Sequence, residues 1–402
     1  MDTASSPSIA YGFPLSRAAA LERLRDFVPA AGAHYARLRN IDRGPGDHQH
    51  VSRLSAALRR RLISEDEVIS VVLEYHGAAG AEKFVSEVFW RTYWKGWLEQ
   101  RPSVWLDYLQ AVAREAALLD RNPDLARRYL EAVEGRSGID CFDAWTAELH
   151  DTGYLHNWAR MQFASIWIFT LSLPWELGAA HMLRRLMDGD PASNTLSWRW
   201  VAGLHTVGKT YLADPERIRA MTHGRFSAQG LARKALVPAD SIVVPTASTP
   251  RAAIRPEPGV PSLLLLTVED LSLDTLPLAD TLLVTALAFL PGESETDRIA
   301  LSDGLERAGQ RWPDAAALGA LTADDLSAAR ALGCQQIVTG FVPVGPIADR
   351  LASLRAAAAA DGLRLAEHRR GWDARAWPHC RKGFFALKEK IPMLLAASGD
   401  AS

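Results

Sequence analysis

Residues 142–226 read FDAWTAELHDTGYLHNWARMQFASIWIFTLSLPWELGAAHMLRRLMDGDPASNTLSWRWVAGLHTVGKTYLADPERIRAMTHGRF. Two dense polar clusters, Tyr154–Met161 and Asp188–Trp200, flank an apolar segment, Phe163–Trp175, too rich in aromatics to sit in water. Asn157, Arg160 and Met161 stand at i, i+3 and i+4, so a helix places all three on one face. Amide and guanidinium groups beside packed apolar residues require buried partners or a ligand. Spacing alone leaves both open: a satisfied polar network within a helical bundle, or a ligand site.

Working outward, 402 residues suggest two or three domains, and 48% hydrophobic composition supplies real cores. A formal charge of −2 gives no global pull toward nucleic acid or membrane, although a local basic face is compatible with it. Cys141, Cys334 and Cys380 are isolated and match no zinc, cluster or disulfide spacing, which points to a reducing, cytoplasmic setting. The N-terminus lacks a secretion signal pattern. The apolar run 163–173 is about half a membrane span and stops at Pro174, so it reads as a buried helix, and no membrane partner is expected. Of 13 tryptophans, all but Trp312, Trp372 and Trp377 precede residue 201. So many indoles build either a large aromatic core or a surface for stacking and electron transfer.

Toward the N-terminus, residues 1–12 read as a frayed end. Ser16 is a helix N-cap before Leu21, Leu24 and Phe27. The stretch YARLRNIDRGPGDHQH (35–50) is a loop. In VSRLSAALRRRLISEDEV, Leu54, Leu58 and Leu62 share a helical face, and Ser64 with Glu67 forms a capping box for the next helix. Ser52 and Ser55 at a helix start can bind an anionic group through hydroxyls and free backbone N–H. From Ala81 a helix sets Glu87, Trp90 and Arg91 on one face, near Trp94 and Trp97. Everything to about Ala235 reads as helix and loop.

Composition changes near Leu236. Residues 237–261 are rich in proline and small residues, an interdomain linker. Beyond it, strand-length apolar runs (262–268, 281–289, 335–341, 363–367) alternate with helical segments (297–310, 322–332, 347–360, 382–387), the pattern of a small parallel α/β sheet. The expected organisation is therefore a helical domain over 12–236, the linker, and a Rossmann-like α/β domain over 262–390.

One motif competes. GLHTVGKT (203–210) satisfies the G-x-x-x-x-G-K-[ST] pattern of a phosphate-binding loop. That loop requires a strand before it and a helix after it. NTLSWRWVA precedes it and continues a helical region, so the context is missing.

Four blocks, in order, resemble the FAD-binding helical domain of the DNA photolyase and cryptochrome family: VSRLSAAL (51–58), EVFWR (87–91), TGYLHNWARM (152–161) and DGDPASNTLSWRW (188–200). The resemblance covers roughly residues 30–226. It implies a bent FAD inside the bundle, with Tyr35, Ser52, Leu54 and Ser55 contacting its diphosphate and ribityl region and Arg91 and Arg160 nearby. Asp188 and Asp190 would meet the ring system and ribose hydroxyls, and Asn194 would face flavin N5. Trp90 and Trp200 would wall a flipped-out pyrimidine dimer, Glu87 would hydrogen-bond its edge, and Asn157 and Met161 would line the floor. The Asn–Met pair resembles enzymes that split cyclobutane dimers. Trp198 and Trp175 look like the first two members of a photoreduction chain. The implied activity is light-driven repair of DNA by a monomeric lyase, the alternative being a cryptochrome-like photosensor without repair. An antenna chromophore is left unassigned.

The sequence also departs from the family. The third tryptophan of that chain falls near Asn122, with Trp105, Tyr108 or Tyr129 as substitutes. Trp158 replaces a basic residue, leaving Arg39, Arg53, Arg199 and Lys209 as candidates for DNA phosphates. The family's α/β antenna domain normally precedes the helical domain. Here residues 262–390 are either a relocated, shortened version of it or an unrelated α/β domain.

Overall fold

The computed structural model describes residues 12–206, 208–238, 244–322 and 325–399. Part of the expected linker (239–243) and most of the expected frayed end (1–11) lie outside them.

Helices occupy the first half: α1 (Arg17–Phe27), α2 (Ala33–Leu38), α3 (Ser55–Arg59), α4 (Glu65–Glu99), α5 (Ser103–Leu119) and α6 (Pro123–Val133), then α7 (Asp140–Thr152), α8 (Asn157–Ser165), α9 (Trp175–Arg185), α10 (Pro191–Val201) and α11 (Pro215–Met221). Ser16 caps α1 through its hydroxyl, accepting from Ala19 N, and Ser64 with Glu67 forms the expected capping box on α4. The α4 helix runs 35 residues with one non-helical residue, Gly77 (φ 66°). The expected helical face through Leu62 is interrupted: α3 ends at Arg59 and Arg61 takes φ 53°. After α8 the chain winds as one π-helical segment, Ile166–Thr170, and Pro174 then stops it before α9. Trp145, Trp158, Trp167 and Trp175 are each at most 1% exposed, so most of these indoles serve the core. Among the described residues no helix is long and apolar enough to cross a membrane.

The second half holds β1 (Pro261–Leu266), β2 (Leu283–Phe289), α12 (Glu295–Arg311), β3 (Ala316–Ala320) and α13 (Leu326–Ala331), followed by β4 (Gln336–Gly340), α14 (Pro346–Ala360), β5 (Arg364–His368), α15 (Gly371–Ala376), α16 (Phe384–Lys388) and α17 (Ile391–Gly399). The strands form one parallel sheet in the order β3-β2-β1-β4-β5, with Leu264 opposite Leu287 and Val338 opposite Ala366. Parallel strands covered on both faces read as continuous apolar runs, and LLLL at 263–266 is such a run at the centre. The β1 run ends at Leu266, not Val268, because Thr267 and Asp270 close a tight turn. The helix expected from Thr322 begins at Leu326, and the Thr322 hydroxyl and backbone N–H both donate to Asp325 instead. The edge strand β3 was not expected.

The two halves meet through buried charge. Arg59 donates to Glu269 at 2.6 Å, Arg60 pairs with Asp297 at 2.7 Å, and Arg61 bridges Asp270 and Asp373 at 3.1 and 3.0 Å. In open α/β sheets ligands settle at the carboxyl ends of strands where the order reverses, here between β1 and β4. In this chain Arg61 and Asp270 fill that end, and a Cβ on Gly340 would stand 2.3 Å from the Asp270 Cβ. Arg370 with Glu65, Trp372 with Thr92, and the Gln100 amide with the Trp377 carbonyl complete the seam.

Candidate functional site

The helical half encloses a cavity of about 530 Å³. Of the sixteen site residues expected from sequence, fourteen line it: Tyr35, Ser52, Ser55, Glu87, Trp90, Arg91, Asn157, Arg160, Met161, Asp188, Asp190, Asn194, Trp198 and Trp200. Five segments supply them, Tyr35 coming from α2. The residues before and at the start of α3 bring the two serines, α4 brings the Glu87–Arg91 face, and α8 brings its i, i+3, i+4 set. The turn into α10 brings the acids and indoles. Two expected residues stand off the wall. The Leu54 side chain is fully buried in the core, and Trp175 packs behind it, stacked on Tyr108 with centroids 5.6 Å apart.

One wall is ionic. Arg160 donates to Asp188 at 3.0 Å and to the Leu155 carbonyl at 2.7 Å, and lies 5.2 Å over the Tyr154 ring. Burial works to raise the Asp188 pKa, but Arg160 outweighs it and holds the carboxyl below its ordinary range. Asp190 caps α10 by accepting from Ser193 N, and it meets Lys95 at 3.1 Å, Arg91 at 3.5 Å and Arg59 at 3.8 Å. Against the same burial penalty, those three cations depress its pKa well below the carboxylate range. Both acids are thus anions at neutral pH. The Asn194 amide is anchored by donating to the Ala179 carbonyl at 2.8 Å while the residue lines the cavity.

Elsewhere in the lining Glu87 lies between Lys83 at 2.8 Å and Arg39 at 3.3 Å. Asn157 is exposed there, and Trp200 tilts against Tyr211 at 5.5 Å. Of the expected phosphate contacts, Arg39 and Arg53 line the cavity and Lys209 is exposed. Arg199 does not reach the surface: it is fully buried, 5.5 Å from the Trp175 ring centre.

The aromatic residues form two rows. Trp198 meets Trp167 at 6.1 Å, and Trp167 meets Tyr129 at 5.9 Å. Trp175 meets Tyr108, which meets Trp105 at 5.5 Å. Trp167 was not singled out from sequence, where it looked like one more residue of an apolar run. Asn122 serves as the N-cap of α6, accepting from Leu125 N. Lys95 and Arg59 were also missed, because their charge reads as surface until Glu269 is folded against them.

The GLHTVGKT segment makes successive turns after α10, with Val207 outside the described residues. Leu204 N and His205 N donate to the Arg199 carbonyl, Gly208 N to Gly203 O and Lys209 N to Thr206 O. Those amides are spent within the chain and cannot cradle a phosphate.

The cavity lining offers a ligand cations (Arg39, Arg53, Arg91, Arg160), carboxylates (Glu87, Asp188, Asp190) and amides (Asn157, Asn194). Ser193 Oγ and Arg39 Nε are buried without a hydrogen-bond partner in the chain, so the walls carry polar capacity that the protein itself leaves unused. Residues 84–230 match the family described as the FAD binding domain of DNA photolyase. The chain is 36% identical over 156 residues to a deoxyribodipyrimidine photo-lyase of Streptomyces griseus, covering 39% of this chain and 32% of that protein. It is 34% identical over 209 residues to that of Thermus thermophilus, covering 50% and 46%. Among solved structures, a bacterial class III photolyase from Agrobacterium tumefaciens aligns with a TM-score of 0.46 at 26% identity, covering 56% of this chain and 46% of that one. The chain thus spans less than half the length of each of these relatives.

Proposed function

We propose, from the match of residues 84–230 to the FAD binding domain of DNA photolyase, that this protein is a light-driven lyase that splits cyclobutane pyrimidine dimers in DNA. The carrying observation is the cavity, which gathers Glu87, Trp90, Asn157, Met161 and Trp200 with Asp188, Asp190, Arg160 and Asn194 in one lining.

In this reading Ser52, Ser55, Arg160, Asp188, Asp190 and Asn194 would hold FAD in the cavity, and the bound group would supply light-driven electron transfer. The chain's own residues bind, orient and exclude water. Arg160, fixed by Asp188, would offer a cation to the bound group and favour its anionic form. Asn194, tethered through Nδ2, would offer it the remaining amide capacity. Trp90 and Trp200 receive the extruded dimer, whose stacking is already damaged and cheap to break. Glu87, held in orientation by Lys83 and Arg39, hydrogen-bonds the pyrimidine edge. Residues 12–236 do this work, residues 237–261 link, and residues 262–390 form the α/β part. We read the protein as a cytoplasmic monomer acting on dimer-containing DNA. A photosensor without repair is the second reading, favoured by the buried Arg199 and the buried Trp158, which leave fewer cations for phosphate.

An absorption spectrum followed by blue-light repair of a thymine-dimer oligonucleotide tests the proposal. Bound flavin with recovered thymine absorbance supports it, flavin without repair moves the reading to the photosensor, and absence of flavin overturns both. Glu87→Ala is expected to lower repair about tenfold, the worth of one hydrogen bond to a charged group, with flavin content unchanged.

A further inference from the structure

Ahead of α17 the chain reads RKGFFALKEK at Arg381–Lys390, four cations against one carboxylate. Phe384 of α16 is 4% exposed and lies flat on the Trp90 indole, centroids 3.7 Å apart and planes 11° apart, with its edge toward Tyr93 at 5.7 Å. Lys388 pairs with Glu82 at 2.8 Å. Both partners are on α4, so this short turn from the sheet-bearing half is clamped to the helix that forms the cavity wall. Beside it Phe385 turns its ring to water, 74% exposed and 6.3 Å from the Phe384 ring. An isolated exposed phenylalanine needs no explanation. This one stands two ring contacts from the wall residue Trp90, between exposed Arg381, Lys382 and Lys390.

A solvent-facing aromatic ring among cations is the combination that holds single-stranded nucleic acid: bases stack on the ring and phosphates meet the charges. We propose that Arg381–Lys390 is a second DNA-contacting element, contributed by the α/β half. Phe385 stacks on a base beside the extruded dimer, Lys382 and Lys390 meet phosphates of the same strand, and Phe384 fixes the plane of Trp90 in the pocket wall. The choice of DNA as the occupant rests on the photolyase reading, while the placement rests on the ring stack and the charge.

The test is dark binding of the full-length, flavin-loaded protein to a fluorescein-labelled single-stranded oligonucleotide with one thymine dimer, and to its undamaged counterpart, by fluorescence anisotropy. Phe385→Ala is expected to weaken binding to both about tenfold, with Phe385→Tyr restoring it. The double variant Lys382→Gln/Lys390→Gln is expected to flatten the slope of log affinity against log salt by about 1.4. All variants keep the flavin spectrum and melting temperature of the wild type. Wild-type affinity in Phe385→Ala with an unchanged salt slope in the double variant overturns the inference while leaving the photolyase reading intact. A wild-type protein that binds no dimer DNA overturns both, and is read first.

Discussion

Glu148 shows what burial does to a single carboxyl. It is 2% exposed, with His48 Nε2 3.6 Å away. Burial, reinforced by Asp42 and opposed by Arg225, pushes its pKa up to about 8, and burial pushes His48 down to about 4. At neutral pH the pair is uncharged. A folded pKa above the ordinary 4.5 means stability fully present below about pH 4.5 and lost as pH rises through 8. Glu148→Gln should remove that loss, so its melting advantage over the wild type grows from pH 5 to pH 8.5, on the order of 3 kcal/mol. A gap that does not change with pH would contradict it. Asn157, Arg160 and Met161 declare one helical face by spacing and do line the cavity together, but the roles expected of them came from the family resemblance and not from spacing. Arg59, Arg60 and Arg61 were not legible. Three consecutive arginines look solvated, and their carboxylates lie more than two hundred residues ahead.

Elements were legible where sequence carries the stop signals. Ser16, Ser64 and Pro174 mark boundaries because each satisfies or denies a backbone group. The edge strand β3 was illegible, since AALGA has no strand propensity of its own and is held by pairing with β2. Close packing between elements is equally silent. In α9, a Cβ on Gly178 would stand 2.4 Å from the Trp198 ring and 2.8 Å from Trp167. Gly178→Ala therefore overpacks the row of indoles behind the cavity and should cost about 1–3 kcal/mol, read as a lower denaturant midpoint with an altered Trp fluorescence spectrum. Wild-type values for both would mean the helices can separate freely here.

Across the whole molecule, the seam of buried charge joins the two halves and is expected to make them unfold together. Glu269 at the end of β1 holds Arg59 at 2.6 Å and Lys95 at 3.2 Å, and Lys95 in turn holds Asp190 on the cavity wall. Removing one partner of such a cluster leaves buried cations uncompensated. Glu269→Ala should cost about 3–5 kcal/mol, with helical and sheet signals still melting in one transition at lower temperature. Two separated transitions would show that the seam does not couple the halves. Sequence gave the division into helices and sheet through composition, while the coupling needed side chains distant in the chain to be seen together.

That seam also orders events during synthesis. The ribosome releases Arg59 some 210 residues before Glu269 and Arg60 some 237 before Asp297, an interval of roughly 10–40 seconds at ordinary elongation rates. Throughout it Arg60 and Arg61 lack the carboxylates they pair with in the folded chain, and Arg59 has Asp190 to face but not Glu269. A chain halted before Glu269 is therefore expected to be cleaved by a dilute protease faster than the full chain, and equal cleavage rates would show that the helical half needs no partner.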